Sequence, residues 1–381
     1  MAQKMSKLFK QQMKANKPIK IFVDCHKFDE DYQGITSYIK GLYNELSKDE
    51  NFHFYFASSN SNSLKKVFGE ASNITYLDYF SNNKWIRLLI DIPLKILKYK
   101  IDFAHFQYVV SPFKFCKYIV TIHDVLFLDY PQYFDKKYRF KNNFLFKISA
   151  KMSEIVLTVS EYSKQRIAFY YNLSSKISVV PNGINSEYLQ EFNKEESKIY
   201  IKEKYGIETF FLLVSRIEPR KNHLLLLKTF YEEKFYLNYS LLFIGKRDLY
   251  YKEFEVYLEN IPEEVRKKIY ILENIDNSNL IEFYRAAILF IYPSFAEGFG
   301  IPPIESIAVN TTTLCSNSTA MSDFDFLNNF LFDPKDNNEL TDKIKFALKE
   351  NQVYSQREKM ISKYNWTNNS VKFLEAVYSK T

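Results

Sequence analysis

The sequence predicts an α/β protein of two parallel-sheet domains that face each other across a cleft, and three observations support this fold class. The chain has 381 residues, and at about 100–200 residues per domain this length favours two domains. Short apolar runs alternate with amphipathic segments along most of the chain, which is the pattern of βα units in a parallel sheet. The alternation forms two successive series, separated by a charged stretch around residues 191–204.

The first series begins with a buried strand at Ile19–Asp24 and an amphipathic helix that follows Gly34. Its further strands are predicted at Phe52–Ala57, Phe103–Phe106, Tyr118–His123, Ile155–Ser160 and Ile177–Val180. The strands of the second series are predicted at Phe210–Ser215, Ser240–Gly245, Ile269–Leu272, Ile288–Pro293 and Thr312–Cys315. We therefore expect an N-terminal domain of residues 1–188 and a C-terminal domain of residues 189–381, whose last helix, about 366–379, can cross back onto the first domain.

Composition narrows the class of protein. Hydrophobic residues make up 46% and charged residues 25% of the chain, which excludes an intrinsically disordered protein. The formal net charge of +7 suits nucleic acid, an anionic membrane or a phosphate-bearing ligand without choosing among them. Three cysteines without a C-x-x-C pair favour a reducing compartment. Since neither a membrane span nor a signal peptide is recognisable, we expect a cytoplasmic protein.

The most informative segment runs from Glu297 to Glu305, directly after the predicted strand Ile288–Pro293. Gly298 and Gly300 allow backbone N–H groups to approach a ligand, and the prolines after them suit a helix start, which attracts phosphate. The two glutamates add acceptors for sugar hydroxyls. On spacing alone, an anion site and a plain strand-to-helix turn are equally well supported.

A second segment, Ser215–Asn222, begins where the first strand of the second series ends. It carries three cations, Arg216, Arg220 and Lys221. Arginine can hold a phosphate through two parallel hydrogen bonds and lysine adds a compact charge, so together they suit a departing diphosphate. The alternative is a solvated basic turn that pairs with Glu218. The position at the end of a strand favours phosphate binding.

In the first series, Thr121–Asp124 ends a predicted strand, so that His123 and Asp124 would face the cleft. Either side chain could touch a reacting hydroxyl, but the residues alone favour a packed histidine and an aspartate that caps a helix. The other four histidines show no metal-ligand spacing, and we expect no metal site.

Taken together, these segments resemble the nucleotide-sugar-dependent glycosyltransferases of the GT-B fold, specifically glycosyltransferase family 4 and its mannosyltransferase-like branch. The strongest element is the pair Glu297 and Glu305, eight positions apart, around Gly-Phe-Gly-Ile-Pro-Pro-Ile. The pair Arg216 and Lys221 matches the diphosphate-binding positions of that family. Further matching segments follow in the family's order, at Thr121–Tyr133, Thr158–Lys164 and Val179–Gly183.

The resemblance implies two Rossmann-like domains and a retaining transfer of a hexose-type sugar to a glycan or lipid-linked glycan in surface polysaccharide biosynthesis. It favours GDP-mannose slightly over a UDP-sugar as the donor, and it implies neither a metal nor another cofactor. The catalytic residues it implies are His123, Arg216, Lys221 and Glu297. The donor-binding residues it implies are Gly34, Arg216, Lys221, Glu297, Gly298, Phe299, Gly300, Ile301 and Glu305.

Three positions depart from the family pattern. Ser215 stands where a glycine is usual, Asn310-Thr311-Thr312 replaces Gly-x-Pro, and Asn274 takes the place of a glycine near the base pocket. These departures bear on base recognition, and a non-catalytic binding subunit is an alternative interpretation. The presence of all the implied catalytic residues favours an enzyme.

Two basic amphipathic stretches, Lys4–Lys17 and Lys84–Lys100, are candidates for contact with an anionic membrane surface. We favour the plainer interpretations, a disordered tail for the first and a core helix with a solvated basic face for the second, where Pro93 would also interrupt a continuous helix. A nucleic-acid-binding protein is a further alternative. Because the positive charges are scattered rather than clustered, we expect no nucleic acid partner.

Overall fold

The computed structural model describes residues 17–29, 34–173, 177–247, 249–349 and 353–381. The candidate segment Lys4–Lys17 lies outside these residues except for Lys17. The chain divides into two compact units. Unit 1 comprises the residues up to Asp129, Phe134–Gly183 and Tyr364–Thr381, and unit 2 comprises Tyr130–Tyr133 and Ile184–Lys363.

Unit 1 is an α/β unit. Its strands are β1 (Ile19–Asp24), β2 (Phe52–Ser58), β3 (Ile74–Asp78), β4 (Phe103–Gln107), β5 (Lys117–Thr121), β6 (Ile155–Thr158) and β7 (Ile177–Val179). Its helices before the chain enters unit 2 are α1 (Gly34–Leu46), α2 (Ser61–Phe68), α3 (Lys84–Ile86), a π-helical turn (Arg87–Asp91), α4 (Ile92–Tyr99), α5 (Leu126–Asp129), α6 (Lys136–Met152) and α7 (Glu161–Tyr171).

Within the described residues, the strands of unit 1 form one seven-stranded sheet in the order β3-β2-β1-β4-β5-β6-β7, with every pairing parallel. The central strand β1 pairs with β2 and β4, so that Ile21 stands opposite Phe54 on one side and Phe103 on the other. Both faces of such a sheet are covered by helices, which is why its strands are mostly apolar. Aromatic side chains fill much of this core, and Phe22, Phe52, Phe54 and Phe56 are fully buried.

Unit 2 repeats the architecture. Its strands are β8 (Phe210–Val214), β9 (Ser240–Ile244), β10 (Ile269–Leu272), β11 (Leu289–Tyr292), β12 (Thr313–Ser316) and β13 (Leu331–Phe332). Its helices are α8 (Lys194–Tyr205), α9 (His223–Glu232), α10 (Lys252–Asn260), α11 (Glu263–Arg266), α12 (Asn277–Ala286), α13 (Ile301–Ala308), α14 (Asn337–Ala347) and α15 (Val353–Lys363). Among the described residues the sheet has six parallel strands in the order β10-β9-β8-β11-β12-β13.

The chain then enters unit 1 again with helix α16 (Trp366–Tyr378), which packs on α1. The predicted α/β class with two parallel sheets is confirmed. Two strands were missed, β3 and β13, which lie at sheet edges and lack a long apolar run. The strand predicted at Tyr118–His123 ends already at Thr121.

Candidate functional site

The sheet of unit 2 offers a binding position where its strand order reverses. From β8, the chain builds outward through β9 and β10, and then returns to the other side of β8 with β11. In open α/β sheets, ligands bind beyond the carboxyl ends of the two strands at such a reversal, because the following loops diverge there. The loop after β8 carries Lys221 and the loop after β11 carries Glu297. The two strongest sequence motifs therefore meet at this point.

Lys221 and Glu297 form an ion pair. Nζ of Lys221 lies 2.5 Å from Oε1 of Glu297 and 3.2 Å from the hydroxyl of Tyr292, and that hydroxyl donates to Glu297 Oε1 at 2.9 Å. The side chains of Lys221 and Glu297 are 12% and 10% exposed, so a ligand can reach both. In the described part of the chain two of the three N–H donors of Lys221 are used, which leaves the third for a ligand oxygen.

Arg220 is the second cation on Glu297. Its Nη1 lies 3.3 Å from Glu297 Oε2, and its Nη2 lies 2.6 Å from Glu218 Oε1. The sequence motifs assigned a phosphate-binding role to Arg216 instead, and the structure leaves Arg216 exposed just beyond β8. Arg220 is thus a site residue that the sequence reasoning counted among the basic residues but did not select.

The backbone of Asn222 explains why consecutive residues can both reach Glu297. Pro219–Lys221 form a single 3₁₀ turn, and Asn222 ends it in the left-handed conformation, with φ of 57°. Asparagine tolerates this conformation better than most residues. Its amide nitrogen donates to the carbonyl oxygens of Pro293 at 3.2 Å and Pro334 at 2.8 Å, which ties the turn to the end of β11.

Electrostatics keep Glu297 ionised. Burial alone would raise the pKa of its carboxyl, but the nearby charges of Lys221 and Arg220 outweigh burial and lower the pKa to about 2. Burial, assisted by Arg220, lowers the pKa of Lys221 from its usual 10.5, and Glu297 opposes this shift. A buried carboxylate between two cations holds their positions, and an arriving anion can share their charge.

The segment after Glu297 forms the start of α13. Gly300 precedes the helix with φ of 103°, a conformation that favours glycine, and a Cβ there would lie 3.3 Å from Met321 and Phe324. The ring of Phe299 is buried and packs edge-on against Phe324 at 6.0 Å between centroids. The chain from Gly298 to Ile301 is thereby fixed where backbone N–H groups and the helix N-terminus attract an anion.

Glu305 lies one helical turn further along α13. The hydroxyl of Tyr284 donates to its Oε2 at 3.0 Å. Burial raises the pKa of this carboxyl to about 7, although hydrogen bonds from Tyr284 and Tyr188 oppose the shift. The two glutamates of the motif therefore differ in charge near neutral pH, since Glu297 is ionised and Glu305 is partly protonated.

Glu305→Gln should remove a measurable pH dependence of stability. As the pH rises from 4.5 to about 7, the unfolded carboxyl loses its proton while the folded one keeps it, so the wild type loses about 3 kcal/mol relative to the variant. Urea denaturation of both proteins between pH 4.5 and 8 measures the difference, in which all other titrating groups cancel. Parallel curves for the two proteins would contradict the assignment.

In unit 1, His123 lies two residues beyond β5 and is buried. Its Nε2 lies 2.8 Å from Oε1 of Gln107, at the end of the neighbouring strand β4. An amide oxygen only accepts, so Nε2 donates and Nδ1 is the basic nitrogen. The Gln107 amide nitrogen lies 3.4 Å from Nε2 of His105, whose Nδ1 lies 2.7 Å from the Tyr43 hydroxyl. Sequence reasoning missed Gln107. The signal that could have found it is a polar residue at the end of an apolar strand.

Gln107→Glu should raise the pKa of His123 by about 1–3 pH units, because a buried carboxylate beside an imidazole favours the charged ring. In the wild type, burial lowers the pKa of His123 to about 3. The chain has only five histidines, so ¹⁵N spectra of histidine-labelled protein can follow each ring. His53, which contacts Thr75 instead, is an internal control that should not move. An unchanged His123 resonance would show that Gln107 does not contact the ring in solution.

Gly34, the remaining predicted residue of unit 1, is the first residue of α1 and is exposed. The two asparagines that depart from the family pattern, Asn274 and Asn310, have φ of 57° and 58°. Both therefore keep the left-handed backbone that glycine usually supplies. In the part of the chain that the structure describes, no group of three or more His, Cys, Asp or Glu side chains is placed to hold a metal ion.

Two protein-family models match the chain. Residues 32–188 match Glycosyltransferase Family 4, and residues 194–365 match Glycosyl transferases group 1. The O-antigen chain mannosyltransferase RfbU of Salmonella typhimurium is 34% identical over 202 residues, which are 52% of this chain and 51% of RfbU. The O-antigen chain mannosyltransferase B of Escherichia coli is 27% identical over 58% of this chain and 59% of its own. The chain thus spans little more than half the length of these curated relatives.

Solved structures share the fold across nearly the whole chain. Sucrose-phosphate synthase from Thermosynechococcus elongatus superposes with a TM-score of 0.76 at 16% identity, covering 95% of this chain and 98% of that one. Anabaena HepE, solved in complex with UDP-glucose, superposes with a TM-score of 0.71 at 12% identity, covering 95% and 100%. The solved structures share the GT-B fold of this chain. Because the two glycosyltransferase models adjoin and together match most of the sequence, the chain is a glycosyltransferase of the family 4 type.

Proposed function

We propose that this protein transfers a hexose-type sugar from a nucleotide-diphosphate sugar to a glycan or lipid-linked glycan acceptor in surface polysaccharide biosynthesis. The proposed location is the cytoplasm, at the inner face of the membrane. GDP-mannose is the favoured donor, followed by a UDP-sugar. The observation that carries the proposal is the cluster of Lys221, Arg220 and Glu297 beside the start of α13. The names of the relatives, which are O-antigen mannosyltransferases, support mannose.

In this proposal, Lys221 and Arg216 neutralise the diphosphate as the glycosidic bond breaks, and Arg220 adds a third charge. Backbone N–H groups from Gly298 to Ile301 bind the donor where α13 begins, and Glu297 orients the sugar while it holds the cations. Catalysis then depends on fixed charges aimed at the developing negative charge, which act strongly because they need no reorganisation.

Glu305 is the proposed partner of the ribose hydroxyls. Its carboxyl already accepts one hydroxyl, that of Tyr284, at 3.0 Å. The hydroxyls of a nucleotide diol would donate to this carboxyl as the Tyr284 hydroxyl does, and binding should favour the ionised carboxylate, because only the ionised form accepts at both oxygens without donating. Nucleotide affinity should therefore increase as the pH rises through about 7.

The proposed reaction retains the configuration at the sugar and needs no metal. The bond between sugar C1 and the β-phosphate oxygen breaks, the acceptor oxygen bonds to C1 on the same face, and the acceptor proton passes to the released diphosphate. In unit 1, His123 is proposed to contact the transferred sugar and Gly34 to line the donor-binding surface. The neutral state of His123 suits hydrogen bonding rather than proton transfer.

A thermal-unfolding panel with GDP, UDP, ADP and TDP tests the donor. A ligand that binds only the folded protein at a hundredfold excess over its Kd stabilises it by about 2.7 kcal/mol. We expect the largest stabilisation from GDP and its loss in Lys221→Met. If none of the four nucleotides stabilises the protein, the proposed function is wrong.

Donor turnover separates an enzyme from an inactive binding subunit. Slow hydrolysis of GDP-mannose, with water in place of the acceptor, should release GDP and mannose. The mannose should first appear with the anomeric configuration of the donor, which NMR detects before the sugar equilibrates. Tight GDP binding without any release would favour the binding subunit, and inverted mannose would exclude the retaining course.

A further inference from the structure

The helical segment from α3 to α4 buries charged side chains and exposes large apolar ones, which is the reverse of the usual arrangement. Three of its five charged residues, Arg87, Asp91 and Lys95, repeat every four positions and are buried, with 8%, 0% and 6% exposure. Its outward side is apolar. The exposed side chains on that side are Trp85, Ile86, Leu89, Ile90, Leu94 and Leu97, each between 39% and 53% exposed. The expected core helix with a solvated basic face is therefore wrong for Arg87 and Lys95.

Ion pairs inside unit 1 fix this orientation. Lys95 pairs with Asp91 one turn away, and the ammonium group lies 4.1 Å from the centroid of the Phe80 ring. Asp91 also accepts a hydrogen bond from the backbone N–H of Phe80 at 2.6 Å. Nε of Arg87 lies 3.7 Å from Asp24 at the end of β1. Rotating the helix would separate Arg87 from the buried carboxylate of Asp24 and Asp91 from the Phe80 N–H, so these two contacts hold the apolar side outward.

Pro93 does not interrupt the segment. It is the second residue of α4, directly after the π-helical turn, and stands in the first turn of that helix. The helix continues through the proline because the π-helical turn before it already departs from the regular hydrogen-bond pattern. The exposed apolar residues therefore form one continuous stripe, with Ile86, Ile90, Leu94 and Leu97 spaced by four, four and three positions.

Helix α6 adds a second exposed stripe. Phe140, Phe144 and Ile148 repeat every four positions and are 83%, 62% and 38% exposed. The sequence of this helix contains six cations and no acidic residue. The cations are Lys136, Lys137, Arg139, Lys141, Lys147 and Lys151.

The two stripes lie near each other. Lys84 at the start of α3 is affected by Lys141 of α6, since burial and then the positive charge of Lys141 lower the pKa of Lys84. Leu88 and Ile92 of the first segment and Phe146 of α6 also pack into the same apolar core. The exposed apolar residues of α3–α4 and α6, with the lysines beside them, thus belong to helices that cover the same apolar core, and we name them together the α4–α6 surface.

We propose that the α4–α6 surface docks unit 1 on an anionic phospholipid bilayer. Entry of exposed phenylalanine, leucine and isoleucine side chains into the interfacial region of a bilayer lowers the free energy of binding. Contact between the bordering lysines and lipid phosphates lowers it further. A surface that combines large apolar side chains with positive charges fits an anionic bilayer better than a neutral apolar partner. Among the described residues no helix is long and apolar enough to cross a bilayer.

Vesicle flotation with the full chain tests the surface. The wild type should float with vesicles of phosphatidylcholine and phosphatidylglycerol at low salt, float less at high salt, and stay behind with pure phosphatidylcholine. The double variants Ile90→Ser/Leu94→Ser and Phe140→Ser/Phe144→Ser should each weaken partitioning at least tenfold. Lys141→Glu/Lys147→Glu should abolish the preference for anionic vesicles.

Phe169→Ser is the matched control, because Phe169 of α7 is also a phenylalanine of unit 1 and is 71% exposed. It should leave partitioning unchanged, and the melting temperature of each variant checks that unit 1 is folded. Two results would overturn the inference. One is flotation that the three double variants do not reduce. The other is a wild type that ignores anionic vesicles but forms a dimer that the same variants dissociate, which would assign the surface to a second copy of the chain.

Discussion

Lys221→Met should lower the turnover number for sugar transfer by about a thousandfold, since removing one preorganised group that stabilises developing charge costs about 10²–10³ in rate. In the proposed mechanism Lys221 supplies a charge for the leaving diphosphate, and in the structure it forms the ion pair that holds Glu297 at 2.5 Å. Methionine preserves most of the side-chain volume, so the packing around Tyr292 should survive. Steady-state kinetics with a GDP- or UDP-sugar donor measure the effect.

The variant leaves Glu297 with Arg220 as its remaining cation at 3.3 Å. The pKa of Glu297 should then rise from about 2, and the double variant Lys221→Met/Glu297→Gln should recover stability without recovering turnover. Lys267→Met is the matched control, because Lys267 also pairs with a glutamate in unit 2 but both partners are about 70% exposed. A Lys221→Met protein with wild-type turnover would remove Lys221 from the proposed mechanism.

The fold could be predicted because each central strand is a short apolar run between amphipathic segments. The edge strand β3 escaped prediction, since Ile74–Leu77 are only partly buried except for Leu77 and give no continuous apolar signal. Strand β13 has two residues and is defined by its pairing with β12 rather than by its sequence. The apolar pattern thus identified the interior strands and the edge strands β7 and β10, and it missed the two edge strands that lack an apolar run.

The site was predictable where the chemistry is local. Glu297 and Glu305 were found by their spacing, and Lys221 by its neighbours in the sequence. Arg220 was not selected, because its approach to Glu297 depends on the left-handed Asn222, which no periodicity reveals. Gln107 was missed for a different reason, since its partner His123 belongs to another strand and only the parallel register of β4 and β5 brings the two together.

The polarity of α3–α4 shows the same limit at the surface. The periodicity of residues 84–100 places apolar groups on two sides, and either side can face the core. Asp24 and the Phe80 N–H decide the outcome, because Asp24 attracts Arg87 inward and the N–H holds Asp91, the partner of Lys95. For a helix that is apolar on two sides, the exposed side can be assigned only when the charged groups around the helix are known.

Gly41→Ala should destabilise unit 1 by about 2 kcal/mol, within the usual cost of overpacking a core. Alanine normally favours a helix over glycine by about 1 kcal/mol, so the expected sign is opposite to helix propensity. The reason is Trp366 at the start of α16, since a Cβ on Gly41 would lie 2.0 Å from Cε2 of that indole. Gly183 crowds the same residue, and its Cβ would lie 2.7 Å from the Trp366 backbone nitrogen. The ring has no room to retreat between them.

A double-variant cycle isolates the clash. Trp366→Leu should cost stability by itself, because the indole packs edge-on against Tyr38 at 6.1 Å, but Gly41→Ala added to it should be neutral or stabilising. Gly69→Ala is the contrasting glycine, where nothing lies within 4 Å of a Cβ and only the φ of 72° opposes the change. Urea denaturation followed by circular dichroism measures all four variants. Equal costs of Gly41→Ala with and without Trp366 would mean that the indole does not occupy this position, and that α16 is held on α1 by other contacts.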